Sequence, residues 1–295
     1  MPAELLKGKP IADKIKEELK NEIDSLKSKT GAVPKLVAVQ IGENSASEVY
    51  LKAQKNNAEK LGIQYVLNTI SKDVSQQEVE DLIKRLNDDS SVSAIILQLP
   101  VPQQIDAKKI VNLIEPIKDA EGMHPSNLGQ VLLGKWSLAP CTASACLALI
   151  ESTGINLYGK EVVVVGHSEI VGKPLSLMLL SKFATTTVCH IGTGERGVLP
   201  EHVKRAEVLV VAVGKAGLIK GDWIKEGAIV VDVGINKVGD NIVGDVEFEG
   251  ASNRAAYITP VPGGVGPLTT TMLMKNTVEA FKANKGKAKW HFAKR

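Results

Sequence analysis

The chain has 295 residues, which at roughly 150 residues per domain suggests about two domains with cores that need no metal or disulfide staple. A hydrophobic fraction of 44% with 23% charged residues excludes a mainly disordered or collagen-like chain. The 36 Lys and Arg against 33 Asp and Glu leave a net charge of +3, and the bases are interleaved with acids, so nothing calls for a nucleic-acid partner. The one basic cluster is Lys285, Lys287, Lys289, Lys294 and Arg295, which reads as a solvated tail. Cys141, Cys146 and Cys189 form no CxxC pair, and an odd, sparse set fits a reducing compartment. The first ten residues lack the apolar core of a signal peptide. No apolar run approaches the ~20 residues that span a bilayer. The expectation is a soluble, cytoplasmic protein without membrane contact.

Hydrophobic spacing alternates between two periods along the chain. Ile11, Ile15, Leu19, Ile23 and Leu26 recur at helical spacing. Residues 36–41 read as a strand, 47–61 as a helix, 64–70 as a strand, 76–86 as a helix and 94–97 as a buried strand. Such a β-α-β-α-β series implies parallel strands joined by crossover helices. A second series has a helix over 142–152, a strand over 162–165, a helix over 171–180, and strands over 185–190, 208–213 and 229–233. These runs are β-branched and nearly continuous, as a sheet covered on both faces requires. A last helix is expected over 269–281. The Pro- and Gly-containing stretch 116–129 marks the join. The fold class is therefore α/β: two α/β domains with a cleft between them, the second a Rossmann-like parallel sheet that binds a dinucleotide. A cleft of this kind is a favoured ligand site.

Several segments carry residues suited to chemistry. Gly166-His167-Ser168-Glu169-Ile170-Val171-Gly172 follows a strand and opens a helix, the arrangement that presents backbone N–H groups to a phosphate. It departs from the dinucleotide fingerprint, because Ser168 replaces the middle glycine and the third glycine comes one residue late; an ordinary βα turn carries the same pattern. The next strand ends in Cys189-His190-Ile191-Gly192, with no acid for a ribose hydroxyl and no adjacent arginine, so NAD and NADP both stay open. Tyr50 and Gln54 share one helix face. Gln98, followed by Leu99 and Pro100, ends a buried strand, where ligands of parallel sheets lie. Lys118, Asp119 and Glu121 put two carboxylates at the join, where pairing with the lysine is an equally open reading. Pro260, Pro262, Gly263, Gly264, Val265, Gly266 and Pro267 make a loop that a flat ligand can approach closely. The five histidines have no metal-ligand spacing, so no metal site is expected.

Taken together, Ile41-Gly-Glu-Asn-Ser-Ala-Ser-Glu-Val-Tyr50, Leu97-Gln-Leu-Pro100, the 118–129 stretch, Pro140-Cys-Thr142, the 166–174 turn, Val233-Gly-Ile-Asn236 and the 259–269 loop resemble the methylenetetrahydrofolate dehydrogenase/cyclohydrolase family, the bifunctional FolD type. The likeness runs from about residue 6 to about residue 280. It implies tetrahydrofolate derivatives as substrate, NADP or NAD as cofactor and a homodimer. It also implies a folate-binding domain of residues 1–121 plus 268–295, with the last helix packed back on it, and a cofactor domain of residues 122–267. Tyr50, Gln98, Leu99, Pro100, Pro262, Gly263, Gly264 and Val265 then match the substrate side. Gly166, Ser168 and Ile235 match the cofactor side.

Three departures from the family pattern bear on chemistry. The active-site lysine is Gln54, the pterin-holding aspartate is Glu121, and the positions that grip the NADP phosphate in some members are His167 and Ile191. Taking a hydride from the methylene carbon needs no proton transfer, because the neighbouring nitrogen lone pair stabilises the cation; hydrolysis of the methenyl product moves protons, and an amide carries none near neutral pH. The expected activity is oxidation of 5,10-methylenetetrahydrofolate, with cyclohydrolase activity doubtful and NADP preference weakened. Tyr50, Gln54, Gln98 and Glu121 are the expected catalytic set. Full bifunctional activity, a silent folate- or partner-binding member, and a dehydrogenase for another small substrate remain the alternatives.

Overall fold

The computed structural model describes residues 2–43 and 45–285, with backbone alone for 45–47 and 285. Asn44 of the first family motif, His291 and all of the basic tail beyond Lys285 lie outside the described residues. β1 (Glu4–Leu5) and α1 (Gly8–Thr30) open the chain. β2 (Lys35–Ile41), α2 (Ser45–Leu61), β3 (Gln64–Ile70), α3 (Gln76–Asp88) and β4 (Ala94–Leu97) follow, then α4 (Ala107–Leu113), α5 (Pro125–Leu132) and α6 (Cys141–Ser152). The second series is β5 (Glu161–Val165), α7 (Gly172–Leu180), β6 (Thr185–Cys189), α8 (Ile191–Glu195), α9 (Leu199–Arg205), β7 (Val208–Val211) and β8 (Ile229–Asp232). The hairpin β9 (Asn236–Val238) and β10 (Asn241–Val243), then α10 (Phe248–Ser252), β11 (Tyr257–Ile258) and α11 (Val265–Lys285), complete it. The strands expected to reach 190, 213 and 233 stop at Cys189, Val211 and Asp232, because His190 caps the start of α8 and the chain leaves the other two strands for loops beyond the carboxyl edge of the sheet.

Two compact units emerge. One comprises residues 1–15, 130–135 and 140–272; the other comprises 16–129, 136–139 and 273–295. The first fifteen residues join the former because β1 pairs in parallel with β11 through Glu4↔Tyr257 and Leu5↔Ile258. That unit holds a six-stranded sheet in the order β1-β11-β8-β7-β5-β6, with every pairing parallel. Val163, Val165, Leu209, Val211, Val230 and Ile258 supply the core of one face. The strand order reverses around β5, which sits between β6 and β7.

The other unit has a three-stranded parallel sheet in the order β3-β2-β4. All residues of β4 and all but the first of β2 are buried, as their mostly apolar sequences require. Val37, Val39, Ile41, Val79, Ile83, Ile95 and Leu97 form one core cluster. α3 begins on a capping box: Glu78 N–H donates to Ser75 Oγ at 3.3 Å and Ser75 N–H donates to Glu78 Oε2 at 2.9 Å. Lys118, buried, points its Nζ at the last carbonyls of that helix, donating to Leu86 O at 3.1 Å and Asp89 O at 2.9 Å. Its ammonium meets the negative end of the helix there and pairs with neither Asp119 nor Glu121. In the α11 segment, Asn276 Nδ2 donates to the carbonyls of Ala120 and Ala139, each at 2.9 Å.

Candidate functional site

In the unit with the three-stranded sheet, the polar residues gather at the carboxyl ends of the strands. β4 hands over to Gln98, whose N–H donates to Val39 O at 2.8 Å. Gln98 is buried, and so is Gln54 on α2. Their amides pair reciprocally: Gln98 Nε2 donates to Gln54 Oε1 at 3.2 Å, and Gln54 Nε2 donates to Gln98 Oε1 at 3.4 Å. Tyr65 on β3 adds a third member, its hydroxyl donating to Gln54 Oε1 at 3.1 Å. Burial pushes the Tyr65 phenol up to about 12, so this hydroxyl stays a donor at neutral pH. Nothing in the sequence pattern singled out Tyr65, since a tyrosine in a strand is ordinary there. One helical turn before Gln54, the Tyr50 ring is 45% exposed and free to meet a ligand. Lys52 and Lys55 are exposed on other faces of α2, and Lys55 lies 3.9 Å from Glu59.

Glu121 reaches the same strand ends. Residues 119–121 run beside β4, with Ile95 bridged to Asp119 in parallel and Ala120 N–H donating to Ile95 O at 3.1 Å. Asp119 is buried and organises the turn. Its carboxylate accepts from the N–H groups of Glu121 at 3.2 Å, Gly122 at 3.0 Å and His124 at 2.7 Å, and from Asn127 Nδ2 at 2.9 Å. Burial nevertheless raises the Asp119 carboxyl above the usual range. Desolvation, with the Asp119 charge adding to it, lifts Glu121 to about 7. A carboxyl in that position changes protonation state near neutral pH. Leu99 and Pro100 are exposed beyond Gln98, joined by a cis peptide bond.

In the other unit, a cavity of about 720 Å³ opens at the carboxyl ends of β5, β6 and β7, where the strand order reverses. Ligands of open α/β sheets bind at such switch points. Gly166, His167, Ser168 and Ile191 all line it, together with His190, Glu195, Val213 and Lys215. The glycines of the turn have a steric reason. Gly166 has φ of 121°, and a Cβ on Gly172 would collide with the Gly166 carbonyl. The close strand-to-helix approach of a nucleotide-binding turn is therefore kept, although its spacing is unusual. Ser168 Oγ accepts the Val171 N–H at 3.1 Å, holding the turn before α7.

The His167 and His190 rings meet edge to face, with centroids 5.3 Å apart. His190 caps α8: Gly192 N–H donates to its Nδ1 at 3.2 Å, and His190 N–H donates to Thr193 Oγ1 at 3.2 Å. Accepting at Nδ1 places the proton of the neutral ring on Nε2. Lys215 is a cation in the cavity wall that the sequence reading did not single out, because it follows a strand without any motif. Ile235, 59% exposed, is not among the residues lining this cavity.

The remaining expected residues lie at the start of α11. Pro262 and Gly263 are exposed, whereas Gly264 and Val265 are buried. The Val261–Pro262 bond is cis, and Gly8 N–H donates to Gly263 O at 3.0 Å. All three cysteines are free and buried, and burial pushes the Cys146 thiol up to about 12, so they fill cores. Among the described residues no helix is long and apolar enough to cross a membrane, and no group of three or more His, Cys, Asp or Glu is placed to hold a metal ion.

The structure thus places a switch-point cavity on one sheet and a polar cluster at the strand ends of the other. Comparison with known proteins makes this specific. Residues 6–121 match the tetrahydrofolate dehydrogenase/cyclohydrolase catalytic domain, and residues 140–285 match the NAD(P)-binding domain of the same family. The chain belongs to this tetrahydrofolate dehydrogenase/cyclohydrolase family, and its cofactor is NAD(P). It is 48% identical over 279 residues to the bifunctional protein FolD 2 of Geobacter metallireducens, covering 94% of this chain and 96% of that one. The crystal structure of the Campylobacter jejuni FolD enzyme superposes with a TM-score of 0.91 at 43% identity, covering 95% and 99% of the two chains. That of the Trypanosoma brucei enzyme, complexed with NADP and an inhibitor, gives 0.92 at 36% identity over 98% and 100%.

Proposed function

We propose that this chain oxidises 5,10-methylenetetrahydrofolate to the 5,10-methenyl form and that its cyclohydrolase step is lost or greatly slowed. The observation that carries this reading is the Gln54–Gln98 amide pair, closed by Tyr65, at the position where the family places a lysine. NAD(P) supplies the hydride acceptor; its nucleotide side is held by the cavity of Gly166, His167, Ser168 and Ile191, with Ile235 assigned to the cofactor by resemblance. Its size and its place at the switch point fit a nucleotide. The chain's task in hydride removal is positioning, which supplies a large part of many barriers. Tyr50 offers an exposed ring for the flat pterin or its aryl extension. Gln98, Leu99 and Pro100 border that side, Glu121 addresses the pterin edge, and Pro262, Gly263, Gly264 and Val265 are assigned to substrate by resemblance alone.

Hydrolysis asks for more. Water must bond to the methenyl carbon and lose a proton, and a nitrogen must take a proton as its C–N bond breaks. A positioned acid–base group is worth roughly 10²–10⁴-fold. Neither amide exchanges a proton near neutral pH, and the Tyr65 phenol is held protonated. One observation favours a second reading, the full bifunctional activity borne by the relatives' names: Glu121, lifted to about 7, can both hold and release a proton near neutral pH.

A paired assay separates the readings. Methenyltetrahydrofolate formation is followed with NAD and with NADP, and its hydrolysis is then followed without cofactor, corrected for the spontaneous rate. Hydride transfer with background hydrolysis supports the first reading. Hydrolysis abolished by Glu121→Gln supports the second. Folate binding without hydride transfer would make the chain a silent member. The same proposal includes a weakened NADP preference, a cytoplasmic setting suggested by the three free cysteines, and a homodimer. The place of β6 as the outer strand of its sheet and the exposed Tyr158–Phe183 pair support the last; light scattering at twice the chain mass tests it.

A further inference from the structure

Asp245 lies beyond β10 and is fully buried. Its Oδ2 accepts the N–H groups of Val213 at 2.7 Å and Gly214 at 2.9 Å. Its Oδ1 accepts the Lys215 N–H at 2.8 Å and Asn236 Nδ2 at 2.9 Å. Three consecutive backbone donors converging on one anion form a nest, here filled by the protein's own carboxylate. Val213 and Lys215 line the nucleotide cavity, and Asn236 follows Ile235. A buried charge is tolerated only when donors surround it, so this carboxylate and the two segments hold each other in place.

Behind it stands a second buried carboxylate. Asp232 Oδ1 accepts the N–H groups of Gly234 at 2.9 Å and Asp245 at 3.0 Å, and its Oδ2 accepts that of Val246 at 2.8 Å. Its own N–H donates to Thr259 Oγ1 at 2.7 Å. Gly234 and Gly244 leave the room these carboxylates need, because a Cβ on either would run into Asp245 or Asp232 respectively. Both aspartates are buried and neither lines the cavity.

We infer that Asp245 is a positioning residue for cofactor binding: it fixes the cavity lip formed by residues 213–215, ties that lip to residues 235–236, and is itself oriented by Asp232. The inference rests on the reading of the cavity as the nucleotide site. Without the carboxylate, the three N–H groups at the end of β7 would turn to water, and the lip would be ordered only when ligand arrives, which weakens binding.

The test uses the full chain and NADPH and NADH as fluorescent probes. Asp245→Asn replaces an acceptor oxygen by a donor and is expected to raise the Kd about tenfold or more. Cofactor KM rises with it, while the thermal shift produced by methenyltetrahydrofolate is kept. Asn236→Ala removes the bond to Asp245 together with a longer one to the Val243 carbonyl at 3.4 Å and is expected to raise Kd about threefold; it decides the matter if Asp245→Asn does not fold. A folded variant of either kind with the parent Kd overturns the inference. Ile191→Trp, at an exposed lining residue, fills the cavity and serves as the control. If it leaves binding intact, the cavity is not the nucleotide site and the inference falls with that reading. If it abolishes binding while the aspartate and asparagine variants do not, only the positioning role falls.

Discussion

At the carboxyl end of β5 the cavity is shaped by backbone: a glycine turn, a helix start approached through Gly172, and a lip of N–H groups gathered on Asp245. At the carboxyl end of β4 three side chains, Gln54, Gln98 and Tyr65, decide what is present. In the first kind of site, changes such as His167 and Ile191 alter the lining but leave the backbone frame in place. The second kind is sensitive to a single residue, because a lysine carries an exchangeable ammonium proton and a glutamine of similar reach does not. Departures from a family pattern therefore weigh differently in the two units.

The largest expected effect breaks this contrast directly. Gln54→Lys puts an ammonium at the centre of the amide cluster and is expected to raise methenyltetrahydrofolate hydrolysis by about 10²–10⁴-fold over the parent, with hydride transfer changed far less. The readout is the cofactor-independent hydrolysis rate. A variant that folds, binds folate and still hydrolyses at background would show that the neutral cluster is not what limits the step.

A backbone-built site should fail sterically where a side-chain site fails chemically. Gly172→Ala places a Cβ against the Gly166 carbonyl. Overpacking of this kind costs about 1–3 kcal/mol, read as a lower Tm together with weakened NAD(P)H binding. His167→Ala, at an exposed position of the same cavity, is expected to leave Tm unchanged. Equal Tm values for the two variants would remove the distinction.

Glu121 sharpens the comparison through pH. Its carboxyl sits at about 7 against an ordinary 4.5. The unfolded chain gives up this proton first, so the folded state is favoured by this group below about pH 4.5. That advantage drains away as pH climbs toward 7 and the loss is complete above it. Glu121→Gln removes the dependence, and its stability relative to the parent should rise between pH 4.5 and pH 8 by up to about 3 kcal/mol. Denaturant titrations at the two pH values give the difference; a flat one would show that Glu121 is not held in this environment.

The sequence made the long elements readable, and the reasons are local. The β-branched runs of β2, β4, β5, β7 and β8 and the helical stripe of α1 needed no tertiary information. The short pieces were hidden because partners far along the chain create them. β1 and β11 are two residues each and exist through pairing with one another and with β8. α8 is five residues long and starts on a histidine cap, an unusual residue for that role. The site divides in the same way. Tyr50, Gln54, Gln98, Glu121 and the 166–168 turn stand in recognisable motifs, and the structure brings Gln54 to Gln98. Tyr65, Lys215 and Asp245 carry no motif, and only the packing of β3, the turn after β7 and the segment after β10 gives them their places.

The smallest expected effect concerns the cofactor phosphate and tests how far a backbone-built cavity can ignore its side chains. His167 is exposed, rests edge-on against His190 and lines the cavity. A guanidinium is always charged and can grip a phosphate with two parallel donors, which an imidazole cannot do. His167→Arg is therefore expected to tighten NADPH about tenfold, or about 1.4 kcal/mol, and to leave NADH nearly unchanged, since NADH offers no 2′-phosphate to grip. Raising salt should shrink the gain, because an exposed ion pair is screened. Equal tightening of both cofactors would mean that the arginine acts on the shape of the turn, and the tolerance attributed to the backbone would then have to be given up.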